Sequence, residues 1–171
     1  MELNNIFKLS EEQNTKETIK ISYYVISYCR KNNIDITNLK LIKLLYFINI
    51  DYMLNNNGMP IFDEEFLAWR HGPVLQSVYN YFCFGLVLPS EDKITTIFES
   101  IDDNKKRSID NVLLKMANID AWQLVEMTHA PNGPWFTIYN KYKKDDGICT
   151  EKIPYIDIYN FYKEVDNVSS I

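Results

Sequence analysis

The sequence predicts a mainly α protein: a single compact multi-helix domain with a possible short β-hairpin near residues 60–70. Three observations carry this. Apolar residues recur at helical spacing along most of the chain. The stretch from Asn38 to about Asn55 is apolar on nearly every side. Glycine and proline, only 5 and 6 residues, punctuate the periodic segments.

Thr15 to Asn32 reads as an amphipathic helix, with Ile19, Tyr23, Ile26 and Cys29 in register. Tyr24, Val25 and Tyr28 widen its apolar face, and Asn32-Asn33 ends it. Thr37 or Asn38 then caps a second helix, and Asn55-Asn56-Asn57-Gly58 stops it. Leu39, Leu41, Ile42, Leu44, Leu45, Phe47, Ile48 and Tyr52 surround most of that helix. A helix apolar all round is a buried one, so this is the expected centre of the core.

Met59 to Arg70 looks extended, and His71-Gly72-Pro73 makes a tight turn. Pro73 suits the first position of a helix, because its missing N–H is not needed there. That helix is expected from Val74 to about Phe84, ended by Gly85 and Pro89. Residues 89–106 read as a polar connector, with a short helix around Ile94 to Ile101. Ser108 is placed as the cap of a helix through Ala117. Asp120 and Gln123 resemble a capping box for a helix carrying Trp122, Leu124, Val125 and Thr128. Ala130 to Pro134 breaks it, Trp135 to Tyr142 is aromatic and short, and Lys143 to Gly147 is a polar loop. A last helix is expected over Pro154 to Val165, with Ile156, Tyr159, Phe161 and Tyr162 facing inward. The domain then spans 15–165, between an arm at 1–14 and a frayed tail at 166–171.

Composition narrows the function. With 171 residues, 46% hydrophobic and 24% charged, the chain has the make-up of one globular domain. The net charge is −5, and the dense basic stretches, Lys105-Lys106-Arg107 and Lys141 to Lys144, are flanked by aspartates. A nucleic-acid partner is disfavoured, since such proteins carry a basic face that displaces counterions from phosphates. The amino terminus is acidic and polar, unlike a secretory signal. No apolar run approaches the roughly 20 residues of a membrane span. A cytoplasmic location is expected, with Cys29, Cys83 and Cys149 as reduced thiols. The cysteines are scattered, so neither a metal nor a cofactor is expected.

Catalysis finds little support. His71 and His129 are the only histidines. Either could serve as a general base beside Asp63, Glu64, Glu65 or Glu126, with Thr128 or Cys83 as nucleophile. No nucleophile elbow, zinc-binding histidine pair or phosphate-cradling glycine loop accompanies them. A small hydrolase using His71 or His129 is the lesser reading.

Two turns carry more information. Trp69-Arg70-His71-Gly72-Pro73 and His129-Ala130-Pro131-Asn132-Gly133-Pro134-Trp135 each set a tryptophan and a histidine beside a Gly-Pro step. Stiff backbone there holds side chains in fixed directions, and Trp and Arg are the types most enriched at binding hot spots. Trp69, Arg70, His71, Pro73, His129 and Trp135 are therefore the candidate partner-binding residues. The competing role for Trp69 and Trp135 is to lock the turns onto the core.

The run Leu39 to Phe47, then Gly58 to Phe62, then Phe66 to Val74 with Val78 and Tyr79, resembles the Panacea antitoxin domain family. Its members are also called SocA-like or phage-associated GepA-like proteins. Leu124, Thr128-His129 and Pro134-Trp135 resemble the second half of the pattern, so the likeness spans roughly Thr15 to Tyr162. It implies an all-helical or nearly all-helical antitoxin that neutralises a toxin encoded beside it by direct contact. The alternative within the family is an adaptor that delivers the toxin to a protease. No catalytic residue carries over, and a histidine at position 71 departs from the aromatic often found there. Many members carry an additional DNA-binding or other module for which this chain leaves no room, so the resemblance leaves control of its own promoter open.

Overall fold

The computed structural model describes residues 16–169, with side chains through Asp166. Thr15 and the expected arm at 1–14 lie outside them, as do Ser170 and Ile171. Among the described residues the chain forms eight helices and one two-stranded hairpin, a mainly α fold.

Helix α1 spans Glu17–Lys31 and buries Ile19, Tyr23, Ile26 and Cys29, as its periodicity predicts. Asn33 reverses the chain in the left-handed region (φ 54°), and Ile34 N–H returns to Cys29 O at 2.8 Å. Helix α2 spans Asn38–Asn55, capped by Thr37, whose hydroxyl accepts from Lys40 N–H. Lys40 to Ile50 are all buried, and α2 is packed on several sides by the remaining elements. The all-round apolar pattern thus reports its position at the centre. Tyr46 meets Phe47, Phe66 and Tyr162 edge-on there. Buried Asn49 pins the exit from α2 by accepting Ile61 N–H at 3.0 Å.

Strands β1 (Leu67–Trp69) and β2 (Gly72–Val74) pair antiparallel, with Ala68 opposite Pro73. On the other side of β1, Ala68 N–H bonds Glu151 O at 2.8 Å and Ile153 N–H bonds Phe66 O at 2.7 Å. The hairpin is real but lies later than expected. Pro73 belongs to β2 rather than to the start of a helix, which an outer strand tolerates because its ladder does not need every N–H. Helix α3 is correspondingly short, Gln76–Tyr81.

The polar connector carries the short helix expected around Ile94 to Ile101, and its far end is helical as well. Helix α4 covers Glu91–Ser100 and α5 covers Asp103–Met116, with Asp102 accepting Lys105 N–H at 3.0 Å as the cap of α5. Ser108, the expected cap, is buried within α5. The apolar stripe through Ile97, Ile101 and Ile109 outweighs the charged residues between them. Helix α6 (Ala121–Thr128) opens with the expected capping box of Asp120 and Gln123. Helix α7 spans Pro134–Tyr142 with proline at its first position.

Helix α8 spans Tyr155–Ser169, past the expected end at Val165. Ile158 is 0% exposed while Ile156 is 60% exposed, so the inward face is set by Tyr155, Ile158, Tyr159 and Tyr162. That set is spaced three and four residues apart, which one helix face requires; Ile156 does not fit it. No helix of the described residues is long and apolar enough to cross a membrane.

Candidate protein-binding face at the hairpin

The hairpin loop consists of Arg70 and His71, both exposed and both with negative φ. The left-handed residue that closes the reversal is Gly72, at φ +96°. Space dictates glycine as well. A Cβ here would stand 2.5 Å from Thr128 Oγ1 and 2.9 Å from Lys43 Nζ. Gly72 is therefore where the hairpin, the centre of α2 and the end of α6 meet.

Lys43 comes to this point from α2 and is 0% exposed. Its Nζ donates to Pro73 O at 2.9 Å, holding β2 from beneath. Burial pushes its pKa down to about 7, because a desolvated ammonium is costly. Thr128 donates to Val125 O at 2.7 Å and so stays within its own helix.

The second turn closes on the first. His129 lies flat on Trp135, ring centroids 3.7 Å apart and 7° from parallel, and Trp135 stacks in turn on Tyr139. Trp135 Nε1 donates to Trp69 O at 2.7 Å, tying α7 to β1. The His129 pKa falls to about 4, through burial first and then the nearby Lys43 and His71. His129 is thus a neutral stacked ring at ordinary pH.

Above this layer the rings reach solvent. Trp69 is half-buried and meets Tyr79 edge-on at 4.9 Å. His71 meets Trp122 edge-on at 5.3 Å. Tyr79 is 43% exposed and Trp122 55% exposed, large values for rings of this size.

The six candidates therefore converge but divide by role. Pro73 and Trp135 are buried and hold the hairpin in place. Arg70 and His71 face solvent, while Trp69 and His129 are half-buried. Sequence reasoning missed Lys43, Tyr79 and Trp122 as members of this face. Lys43 had a signal, as a cation inside the most apolar helix of the chain.

An acid–base set does not assemble here. Glu64 binds the Ser77 amide and hydroxyl, and Glu65 pairs with Lys152 at 2.8 Å. Asp63 and Glu126 are exposed and, among the described residues, no hydrogen bond joins a carboxylate to either histidine. Thr128 is spent on a backbone carbonyl, and Cys83 is an exposed free thiol.

Fold and site together define a class: a small helical protein that holds a ring-rich face on a braced hairpin. Residues 41–136 match the family described as Antitoxin SocA-like, Panacea domain, a segment that runs from α2 to the start of α7 and contains both turns. Antitoxin SocA of Caulobacter vibrioides (strain NA1000 / CB15N) is 30% identical over 144 residues, covering 77% of this chain and 75% of that protein. No solved structure matches. The chain belongs to the SocA-like, Panacea-domain antitoxin family.

Proposed function

We propose that this chain is the antitoxin of a toxin–antitoxin pair and neutralises a cognate protein toxin by direct binding, without catalysis. The toxin is encoded by the adjacent gene, and the hairpin face is the surface it covers. The observation that carries this is the exposure of Tyr79 and Trp122 beside Arg70 and His71, on a hairpin braced from beneath by Lys43 and Trp135. Aromatic and arginine side chains in fixed positions lose little entropy on binding and bury well, which is the make-up of an interface hot spot. A stable complex buries about 800 Å² on each partner. The net charge of −5 favours a basic toxin by steering encounter.

The test is co-expression with the neighbouring open reading frame, read by growth and by co-purification. Toxicity alone, rescue together and a recovered complex are expected. Rescue that disappears when cellular proteases are deleted, with no complex, would replace direct binding by the adaptor mechanism. Rescue lost in a His71→Ala/His129→Ala protein that remains folded and still binds would favour a hydrolase.

A further inference from the structure

Between α2 and the hairpin lies a pocket of about 230 Å³, lined by Lys43, Trp69, Arg70, His71 and Tyr79 with aliphatic side chains between them. It is smaller than the roughly 300–1,000 Å³ of drug-sized ligand sites, so it suits one side chain rather than a cofactor. Its surface is mostly apolar, and donors among its lining residues lie enclosed behind it, Lys43 being 0% exposed. In its charged form Lys43 Nζ has three protons and donates to one acceptor, Pro73 O. Trp69 Nε1 is buried with no hydrogen-bond partner. Arg70 stands exposed on the hairpin loop. Among the described residues no carboxylate forms an ion pair with Lys43 or Arg70.

Building on the binding role proposed above, we infer that this pocket receives an aspartate or glutamate side chain of the bound partner. A lysine buried without a countercharge is an unfavourable arrangement by itself, and neutral groups cannot supply the missing charge. An incoming carboxylate brings that charge and acceptors for Lys43 and Trp69 in one group, as a desolvated pair. The aliphatic wall excludes water around it, which strengthens the contact. The pocket opens beside Tyr79, so one acidic anchor and the exposed rings belong to the same footprint. A single acidic anchor is compatible with a partner that is basic overall.

The experiment is an NMR titration of the full chain with N-acetyl-glutamate N-methylamide, against the glutamine analogue. The carboxylate probe is expected to shift the Trp69 indole N–H saturably at millimolar concentration, the glutamine analogue at least tenfold more weakly. Lys43→Met, checked for its fold by circular dichroism, is expected to lose the response. Should that variant not fold, Trp69→Phe decides, followed through the backbone amides of Arg70 and His71 that line the same pocket, with weaker binding expected. Equal response to both probes, no response to either, or unchanged affinity in a folded variant would overturn the inference. The titration needs no toxin. A chain that binds toxin but not the probe overturns the pocket alone, and one that binds the probe but no toxin overturns the binding role alone.

Discussion

Gly72 concentrates the constraints on the site in one residue. Alanine there meets both a positive φ and two buried polar atoms, Thr128 Oγ1 and Lys43 Nζ. We expect Gly72→Ala to destabilise the fold by about 2 kcal/mol or more, measured by urea unfolding. Lys43 and His129 give the site two pH signatures. Burial holds the folded-state pKa of Lys43 at about 7, below its ordinary 10.5. Between those values the unfolded chain keeps a proton that the folded chain has released, so stability rises with pH across that window. The slope approaches about 1.4 kcal/mol per pH unit, and Lys43→Met should flatten it. His129 is held neutral down to about pH 4, below its ordinary 6.5. The unfolded state binds the extra proton between those values, so stability falls as pH drops from about 6.5 toward 4. His129→Phe keeps a ring on Trp135 and should remove that loss, read as melting temperature against pH. These residue-level properties were partly legible in the sequence. The Gly-Pro steps marked both turns, but the burial of Lys43 depends on which side of α2 the hairpin covers, and local pattern does not encode that.

At the scale of elements, legibility followed the strength of local signals. Helices α1, α2 and α6 carry unambiguous periodicity or capping, and their bounds follow the sequence closely. The capping box of α6 has a measurable consequence. Asp120→Ala leaves the Trp122 amide and the first turn unsatisfied, and should cost about 1 kcal/mol in chemical denaturation. Because α6 delivers Trp122, Thr128 and His129 to the face, the same change should also weaken partner binding modestly. The misplaced elements share a different cause. Pro73 fits a helix start and an outer strand equally well by itself; β1, the strand that β2 pairs with, is itself held by the bonds of Phe66 and Ala68 to residues 151 and 153. Such pairing joins segments about eighty residues apart, beyond the reach of any window. In the 89–106 segment, tertiary burial of a narrow isoleucine stripe outweighed a polar composition.

At the scale of the molecule, a buried central helix makes a stiff body, and stiffness is what an inhibitor surface needs. The hairpin is held from beneath, and the exposed rings Tyr79 and Trp122 stand on helices α3 and α6 instead of a loose loop, so binding costs little ordering. The acidic balance adds long-range steering. Association with a basic toxin should slow markedly as salt rises from low to physiological ionic strength, while dissociation changes little; stopped-flow binding measures both. In the proposed complex, steering would set the encounter rate and the rings would hold the partners together. The two contributions are separable by experiment.

The most direct test of the hairpin face is the affinity of the purified chain for its toxin after Tyr79→Ser and Trp122→Ser are combined. Both rings are exposed, so the melting temperature should stay within about 3 °C of the unsubstituted protein. Affinity should fall at least tenfold, the scale of losing hot-spot aromatics. Full affinity in a folded double variant would place the toxin on another surface.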